Sequence, residues 1–264
     1  QDQLEKSQTA VEEKSQALQQ QRHVVERWRH LRRFDSSPAL QPPLADRCLE
    51  LQIETALQSS WQLHSCFVHS CARMKQARVV EVRPIANTQL WQKYLFCKQA
   101  MQEQRAREPG SAALNTGTSL GVLPWIARDA SVNECLAFHG TSLDTVDDIA
   151  SQGFDERCAR DSGLYGQGMY FAEEACKSNQ YCDEDDEGVR CIIISRILLG
   201  TPFFATEPMR NIRRPPLNPS TSRPYDSVIA NPGIQNGTPN PQLHREFVLF
   251  DRTQAYPELA VYFQ

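Results

Sequence analysis

The sequence has no long apolar run and no secretory leader pattern. A helix needs about 20 consecutive apolar residues to cross the bilayer core, and polar or charged residues interrupt every apolar stretch well before that length. The nine cysteines are an odd number without a tight framework, which favours a reducing compartment. We therefore expect an intracellular protein, in the nucleus or the cytoplasm, that makes no membrane contact.

An excess of positive charge is also missing. The net charge is −4 and the isoelectric point is about 5.9, so a nucleic-acid partner would need a local basic patch. No glycine fingerprint of the dinucleotide-binding kind follows a first strand, which argues against a doubly wound hydride-transfer enzyme. The sequence starts at Gln1 without an initiator methionine, and we expect it to be part of a longer protein.

The first 34 residues predict one long amphipathic helix. Glycine and proline are absent from Asp2 to Phe34, and apolar residues recur every seven positions, at Leu4, Val11, Leu18 and Val25. The second seam of a heptad would be polar, so a helix packed on its own domain, or a linker fragment, is favoured over a coiled coil. A proline-rich linker is expected over residues 35–47, and a catalytic domain over residues 48–264.

The rest of the chain alternates strand and helix patterns. Short apolar runs predict strands at Val79–Val82, up to His139, at Met169–Phe171, Cys191–Leu199, Glu246–Phe250 and Ala260–Phe263. Helices are expected from about Leu90 and over Leu143–Gln152, the latter ended by Gly153. Residues 49–71 read as mixed helix and strand, and residues 200–243 as a long irregular stretch. Together these patterns predict one mixed α+β domain.

Several short motifs occur in a fixed order. They are His139-Gly140-Thr141, Tyr170-Phe171-Ala172, Lys177-Ser178-Asn179-Gln180-Tyr181, Tyr225-Asp226-Ser227-Val228 and Glu246. In this order they resemble the catalytic domain of the poly(ADP-ribose) polymerase type of ADP-ribosyltransferase, which is diphtheria-toxin-like, over roughly residues 79–264. Three segments look closest to the tankyrase branch: Gly153–Arg157, the Lys-Ser-Asn-Gln-Tyr run and Gln254–Glu258. The resemblance implies two packed, mostly antiparallel β-sheets flanked by helices.

By this resemblance, Glu246, His139 and Tyr170 are the catalytic residues. Breaking the bond between nicotinamide and ribose gives a transition state of oxocarbenium character, and a carboxylate fixed near the ribose gains attraction as positive charge develops. Glu246 is expected in that role, although most strand glutamates are simply exposed. His139 is expected to bind the adenosine ribose.

The resemblance also implies a nicotinamide pocket. Tyr170 and Tyr181 would stack on the ring, while Ser178 and the Gly140 backbone would bind its carboxamide. Residues 155–167 would form a loop over NAD⁺. The remaining NAD⁺-binding candidates are Thr141, Phe171, Ala172, Lys177, Arg157 and Gly168.

The sequence departs from the tankyrase pattern after Tyr181. Tankyrases carry a zinc site there, of three cysteines and one histidine, whereas Cys182 and Cys191 are the cysteines of this stretch and no histidine accompanies them. Two ligands cannot complete a tetrahedral site, so we predict no metal and no cofactor beyond NAD⁺ as consumed substrate. The autoinhibitory helical domain of DNA-activated members has no counterpart, so no DNA dependence is expected.

These observations predict an NAD⁺-dependent transferase that attaches ADP-ribose to side chains of an acceptor protein. The combination of His139, Tyr170 and Glu246 permits elongation to poly(ADP-ribose), which we expect first. Single-unit transfer is the alternative if the acceptor-side stretch, residues 200–243, is collapsed or differently shaped. Two further alternatives are an inactive NAD⁺ or ADP-ribose binding module and a structural protein docked through its first helix to a partner. Arg210, Arg213 and Arg214 could attract an anionic acceptor, although a solvated basic turn is the simpler interpretation.

Overall fold

The structure is a computed structural model that describes residues 39–62, 74–107, 114, 120, 123, 126–159, 163–230, 233–235, 238–240 and 244–264. The helix predicted over residues 1–34, with its coiled-coil alternative, lies outside the described residues. The described part of the predicted linker runs beside the domain. Leu40 forms an antiparallel bridge with Ile85, and the Leu44 amide donates to the Val82 carbonyl at 2.9 Å.

Helices and strands alternate along the described chain. The helices are α1 (Arg47–Gln62), α2 (Thr88–Ala106), α3 (Val146–Gln152) and α4 (Ala175–Ser178). The strands are β1 (Val79–Pro84), β2 (Glu134–Gly140), β3 (Met169–Ala172), β4 (Arg190–Leu198), β5 (Pro202–Ala205), β6 (Leu217–Asn218), β7 (Arg223–Pro224), β8 (Ser227–Ala230), β9 (Gly233–Gln235), β10 (Thr238–Asn240), β11 (Glu246–Leu249) and β12 (Ala255–Phe263). Short 3-10 helices lie at Ala130–Val132, Leu143–Thr145, Glu156–Cys158, Asn179–Tyr181 and Arg252–Gln254. Within the described ranges, no helix combines the length and the apolar character that a membrane crossing requires.

A mixed α+β fold is confirmed. Eight strands form the main sheet in the order β1-β12-β4-β2-β3-β11-β8-β5, and every pairing in it is antiparallel except that of β5 with β8. β2 and β3 share the single register pair Phe138 and Ala172. The sheet therefore consists of two well-paired halves joined at one seam, which corresponds to the two predicted sheets.

The core lies on both faces of β4 and β12. From Cys191 to Leu198 every residue of β4 is buried, and successive side chains of a strand point to opposite faces. Ile192 and Ile194 accordingly pack in one cluster with Phe138 of β2, while Ile193 packs in another with Phe171 of β3. A nearly continuous apolar run is typical of a strand covered on both sides, and this prediction is confirmed.

A buried ionic cluster fastens α2 to the sheet. The Tyr94 hydroxyl donates to Glu134 Oε1 at 2.6 Å, and Lys98 Nζ lies 2.7 Å from Glu134 Oε2. Arg196 Nη1 lies 3.1 Å from Glu134 Oε1, and its Nε lies 3.2 Å from Glu258 Oε2. Burial acts to raise the pKa of Glu134, but Arg196 and Lys98 outweigh it and the pKa is lowered. The carboxylate therefore stays charged inside the protein.

Two regions differ from the sequence expectations. The described part of residues 49–71 is helical, in α1, and residues 200–243 contain strands β5 to β10 rather than irregular chain alone. These strands are two to four residues long, too short to show an alternating pattern. β5 also pairs in parallel with β8, about 25 residues later in the chain, so its partner leaves no local signal in the sequence.

Candidate active site

Three neighbouring strands bring the predicted catalytic residues together. Ala172 of β3 pairs with Phe138 of β2 on one side and with Glu246 of β11 on the other. Adjacent strands lie about 4.8 Å apart, so His139, next to Phe138, and Glu246 are about two strand spacings apart. Tyr170 stands two residues before Ala172 and shares a face of the sheet with Glu246. The seam of the sheet thus carries all three residues, and strand alternation places His139 on the face opposite to Tyr170 and Glu246.

His139 is held by the backbone of β3. Its Nδ1 lies 2.8 Å from the Tyr170 carbonyl oxygen, which can only accept a hydrogen bond, so Nδ1 carries the proton. The ring packs against Phe154 and Phe171, with centroids 4.9 and 5.4 Å away. Burial lowers the pKa of His139, so the imidazole is neutral near pH 7. Its Nε2 is left as a hydrogen-bond acceptor for a ligand hydroxyl.

Two hydrogen bonds hold the hydroxyl group of Tyr170 in place. The hydroxyl donates to the Gly166 carbonyl and accepts from the Tyr165 amide, both at 2.8 Å. Burial and the nearby Glu246 carboxylate raise its pKa, so the phenol stays neutral. A ring fixed at both its backbone and its hydroxyl is a rigid surface for stacking.

Glu246 is paired with a lysine. Its Oε1 lies 3.6 Å from Lys177 Nζ, and the two side chains are 12% and 19% exposed. Burial raises the pKa of Glu246, while the charge of Lys177 opposes the rise. For Lys177, burial acts to lower the pKa, but Glu246 prevails and the pKa is raised. Lys177 Nζ also lies 5.4 Å from the centroid of the Tyr181 ring, which is half exposed.

Gly140 allows α4 to rest against the end of β2. A Cβ atom built on Gly140 would lie 1.8 Å from the Ser178 carbonyl oxygen, so no other residue fits without moving one of the two elements. Ser178 itself is buried. The two residues that the sequence assigns to the carboxamide are therefore in direct contact.

The family model of the poly(ADP-ribose) polymerase catalytic domain matches residues 64–264. The chain belongs to this family. The protein mono-ADP-ribosyltransferase PARP12 of Mus musculus is 29% identical over 184 residues, which are 69% of this chain and 21% of that protein. Homo sapiens PARP11, also named a protein mono-ADP-ribosyltransferase, is 27% identical over 210 residues, 72% of this chain and 52% of that protein. Mus musculus PARP10, with the same description, is 34% identical over 128 residues, 47% of this chain and 12% of that protein.

The chain spans 21% of PARP12 and 52% of PARP11, so most of PARP12 and about half of PARP11 lie outside the matched region. Membership of the poly(ADP-ribose) polymerase family confirms the resemblance inferred from the motifs. The likeness to the tankyrase branch stays a prediction.

Arg157 is the predicted site residue that stands apart from the others. Its guanidinium Nη2 lies 2.6 Å from Asp155 Oδ2, and the side chain is 76% exposed. Arg252 binds the same loop through Asp155 at 2.6 Å and Glu156 at 3.0 Å. In the described part of the chain, Arg157 makes no contact with His139, Tyr170 or Glu246, and residues 160–162 of the expected loop over NAD⁺ are not described.

The remaining predicted residues are placed by the strands and turns around the seam. Phe171 and Ala172 are buried in β3, and the hydroxyl of Thr141 contacts that of Thr145. Gly168 faces β11, where a Cβ atom would lie 2.6 Å from the Leu249 carbonyl oxygen. Among the described residues, no group of three His, Cys, Asp or Glu side chains is arranged to hold a metal.

A histidine and a glutamate beside Glu246 were missed in the sequence. His244 Nδ1 lies 3.6 Å from Glu174 Oε2 and 3.8 Å from Cys176 Sγ. Continuing the antiparallel register of Ala172 with Glu246 by two residues places Glu174 opposite His244. The pairing of β3 with β11 would have been enough to find them, but the sequence alone does not give that pairing.

Proposed function

We propose that the chain is an NAD⁺-dependent protein mono-ADP-ribosyltransferase, which cleaves the nicotinamide–ribose bond and attaches one ADP-ribose unit to an acceptor side chain. The observation that carries the proposal is the ion pair of Glu246 with Lys177 on the strand beside Tyr170. A buried, charged carboxylate at this place suits a transition state in which the sugar becomes positive.

The proposed reaction needs little rearrangement of the site. Nicotinamide would stack between Tyr170 and Tyr181, with its carboxamide at Gly140 and Ser178. As the bond between the ribose carbon and the ring nitrogen breaks, its electron pair stays on nicotinamide, which leaves neutral. Glu246 attracts the positive ribose until the acceptor oxygen, nitrogen or sulfur atom forms the new bond and releases its proton to solvent water.

Two observations support transfer of a single unit. The relatives PARP10, PARP11 and PARP12 are named mono-ADP-ribosyltransferases, which favours this alternative over the elongation expected first from the sequence. The acceptor-side stretch, residues 200–243, is also hydrogen-bonded to the loop that precedes Tyr170. The Gln167 amide donates to the Ile212 carbonyl, and the Met209 amide to the Leu164 carbonyl, both at 2.8 Å.

Elongation to poly(ADP-ribose) is the second candidate. The observation in its favour is Glu246 itself, because its carboxylate could also accept the proton of a ribose hydroxyl that serves as the next acceptor. The two candidates share the first bond cleavage and differ only in whether an ADP-ribose already attached is used again.

The test is to incubate the purified chain with labelled NAD⁺ and to separate the labelled protein products by size. One sharp band is expected for single-unit transfer, whereas a ladder would replace it with elongation. Glu246→Gln should lower the rate by at least about 100-fold, since removal of one electrostatic stabiliser of a transition state costs about 10²–10³ in rate. Glu103→Gln, on the exposed side of α2, is the matched control and should keep the wild-type rate. No labelled product from the wild type, despite NAD⁺ binding, would favour an inactive binding module.

A further inference from the structure

A cavity of about 390 Å³ opens between α2 and the acceptor-side stretch. Its walls come from the second half of α2, from residues 213–215, from β7 and from the turns that follow β7 and β11. Phe250, in its lining, follows Glu246 by four residues, or roughly 13 Å along an extended strand. None of His139, Tyr170 and Glu246 lines the cavity, so it is distinct from the candidate active site, although Phe250 packs against the same cluster as Tyr170.

Three arginines without acidic partners line this cavity. Arg213, Arg214 and Arg223 are all exposed, and in the part of the chain that the structure describes none of their guanidinium groups forms an ion pair. Other arginines of the domain are paired, as Arg190 is with Glu184 at 2.5 Å and Arg252 with Asp155 at 2.6 Å. A guanidinium group presents a rigid fork of donors that matches phosphate oxygens.

Two carboxylates also line the cavity, and both are engaged by the backbone. Asp226 Oδ2 accepts from the Thr201 amide at 2.7 Å. Asp251 Oδ1 accepts from the Thr253 amide at 2.8 Å and from the Thr253 hydroxyl at 2.7 Å. These carboxylates hold turns in place, and the three arginines outnumber them in the lining, so positive charge is in excess.

Flat apolar groups complete the wall. The Tyr225 ring packs on Phe203, with centroids 5.5 Å apart, and Phe250 and the buried Pro215 stand beside it in the lining. The volume falls in the range of about 300–1,000 Å³ that small-molecule sites have. Guanidinium groups next to aromatic surface suit a ligand that carries both phosphate and a flat ring.

We propose that this cavity is a second ligand site, which binds a phosphate-bearing nucleotide of nucleoside diphosphate size. The arginines bind the phosphates, and Tyr225 and Phe250 contact the base or sugar. The site acts independently of the reaction at Glu246 and does not depend on the proposed transferase activity.

Calorimetric titration of the full chain with ADP tests the proposal. Because ADP could also enter the NAD⁺ site, the titration is repeated with His139→Ala, which removes a ligand contact there and replaces no residue of the cavity lining. We expect ADP binding to persist in His139→Ala and to weaken at least 10-fold when Arg213→Gln and Arg214→Gln are added. Arg128→Gln, an exposed arginine outside the cavity lining, is the matched control.

The arginine variants must also keep the thermal unfolding midpoint and the NAD⁺ turnover of the wild type, so that loss of binding is not loss of folding. If ADP binding disappears with His139→Ala alone and is indifferent to the arginines, the second site does not exist, and the transferase proposal is unaffected. Inorganic pyrophosphate should bind at least 10-fold more weakly than ADP. Equal affinities, together with no effect of Tyr225→Ala, would overturn the assignment to a nucleotide.

Discussion

Replacing Lys177 by methionine tests how the charge of Glu246 is maintained. Two charges about 4 Å apart attract by about 4 kcal/mol at an effective dielectric constant of 20, and the atoms of this pair are 3.6 Å apart. Water and buffer cations that reach the carboxylate in the variant are expected to recover about one third to two thirds of that attraction. We therefore expect kcat for NAD⁺ cleavage to fall about 10- to 100-fold, or about 1.4–2.7 kcal/mol in the barrier.

The pH dependence separates this role from a structural one. Without the Lys177 charge, burial raises the pKa of Glu246 further, because its main opposition is lost. The active carboxylate is then populated only at higher pH, so the acid limb of the kcat profile moves upward in pH. Lys177→Arg keeps the charge and should keep the acid limb near its wild-type position.

The assay is release of nicotinamide by the purified chain over a range of pH, with Lys93→Met as the matched control on the exposed side of α2. That control removes an ammonium group with no partner in the site, and its profile should match the wild type. An acid limb of Lys177→Met that coincides with the wild type, with kcat within twofold, would refute the electrostatic argument.

Three further predictions concern the frame of the site. Arg196→Ala should lower the free energy of unfolding by about 3–5 kcal/mol, because it removes the guanidinium group that pairs with two buried carboxylates. Arg190→Ala, whose acidic partner is exposed, should cost less than about 1 kcal/mol. Urea denaturation measures both, and equal losses would contradict the prediction. Gly140→Ala should raise KM for NAD⁺ at least about 10-fold, since its methyl group must displace the carbonyl oxygen that would lie 1.8 Å away, and an unchanged KM would show that α4 adjusts freely. Because the pKa of His139 is lowered in the folded protein, the unfolded chain binds the second imidazole proton first as the pH falls below about 6.5. The ring should therefore favour folding less in acid. Nitrogen NMR at pH 7 should show a neutral imidazole with its proton on Nδ1, and a proton on Nε2 would contradict the assigned hydrogen bond.

The long strands were predictable because a strand that is buried on both faces consists almost entirely of apolar residues. The run from Cys191 to Leu198 is apolar on both faces, apart from Ser195 and Arg196, and β4 occupies it. The helix end at Gly153 was also predictable, because its φ of 80° is a conformation that glycine adopts without strain. The short strands between residues 200 and 243 were not, since β5 and β8 depend on each other across a long connection.

In the candidate site too, some features could be predicted from the sequence and others depend on contacts between distant parts of the chain. The motif order located His139, Tyr170 and Glu246, and the strand register places them at one seam. The sequence assigned Lys177 to NAD⁺, but could not show its ion pair with Glu246, because that contact depends on how α4 lies against β11. Motif reasoning also left Arg157 without its observed partner Asp155, although the two are separated by only one residue.

The seam between β2 and β3 has a consequence for any study of His139. One register pair joins the two halves of the sheet there, and the imidazole of His139 adds a cross-strand hydrogen bond to the Tyr170 carbonyl where further ladder bonds would otherwise stand. The His139 side chain thus links the two halves of the sheet, in addition to its proposed contact with the ligand. A His139 substitution that lowers activity therefore reports two losses at once, and amide hydrogen exchange along β3 distinguishes a loosened sheet from a missing ligand contact.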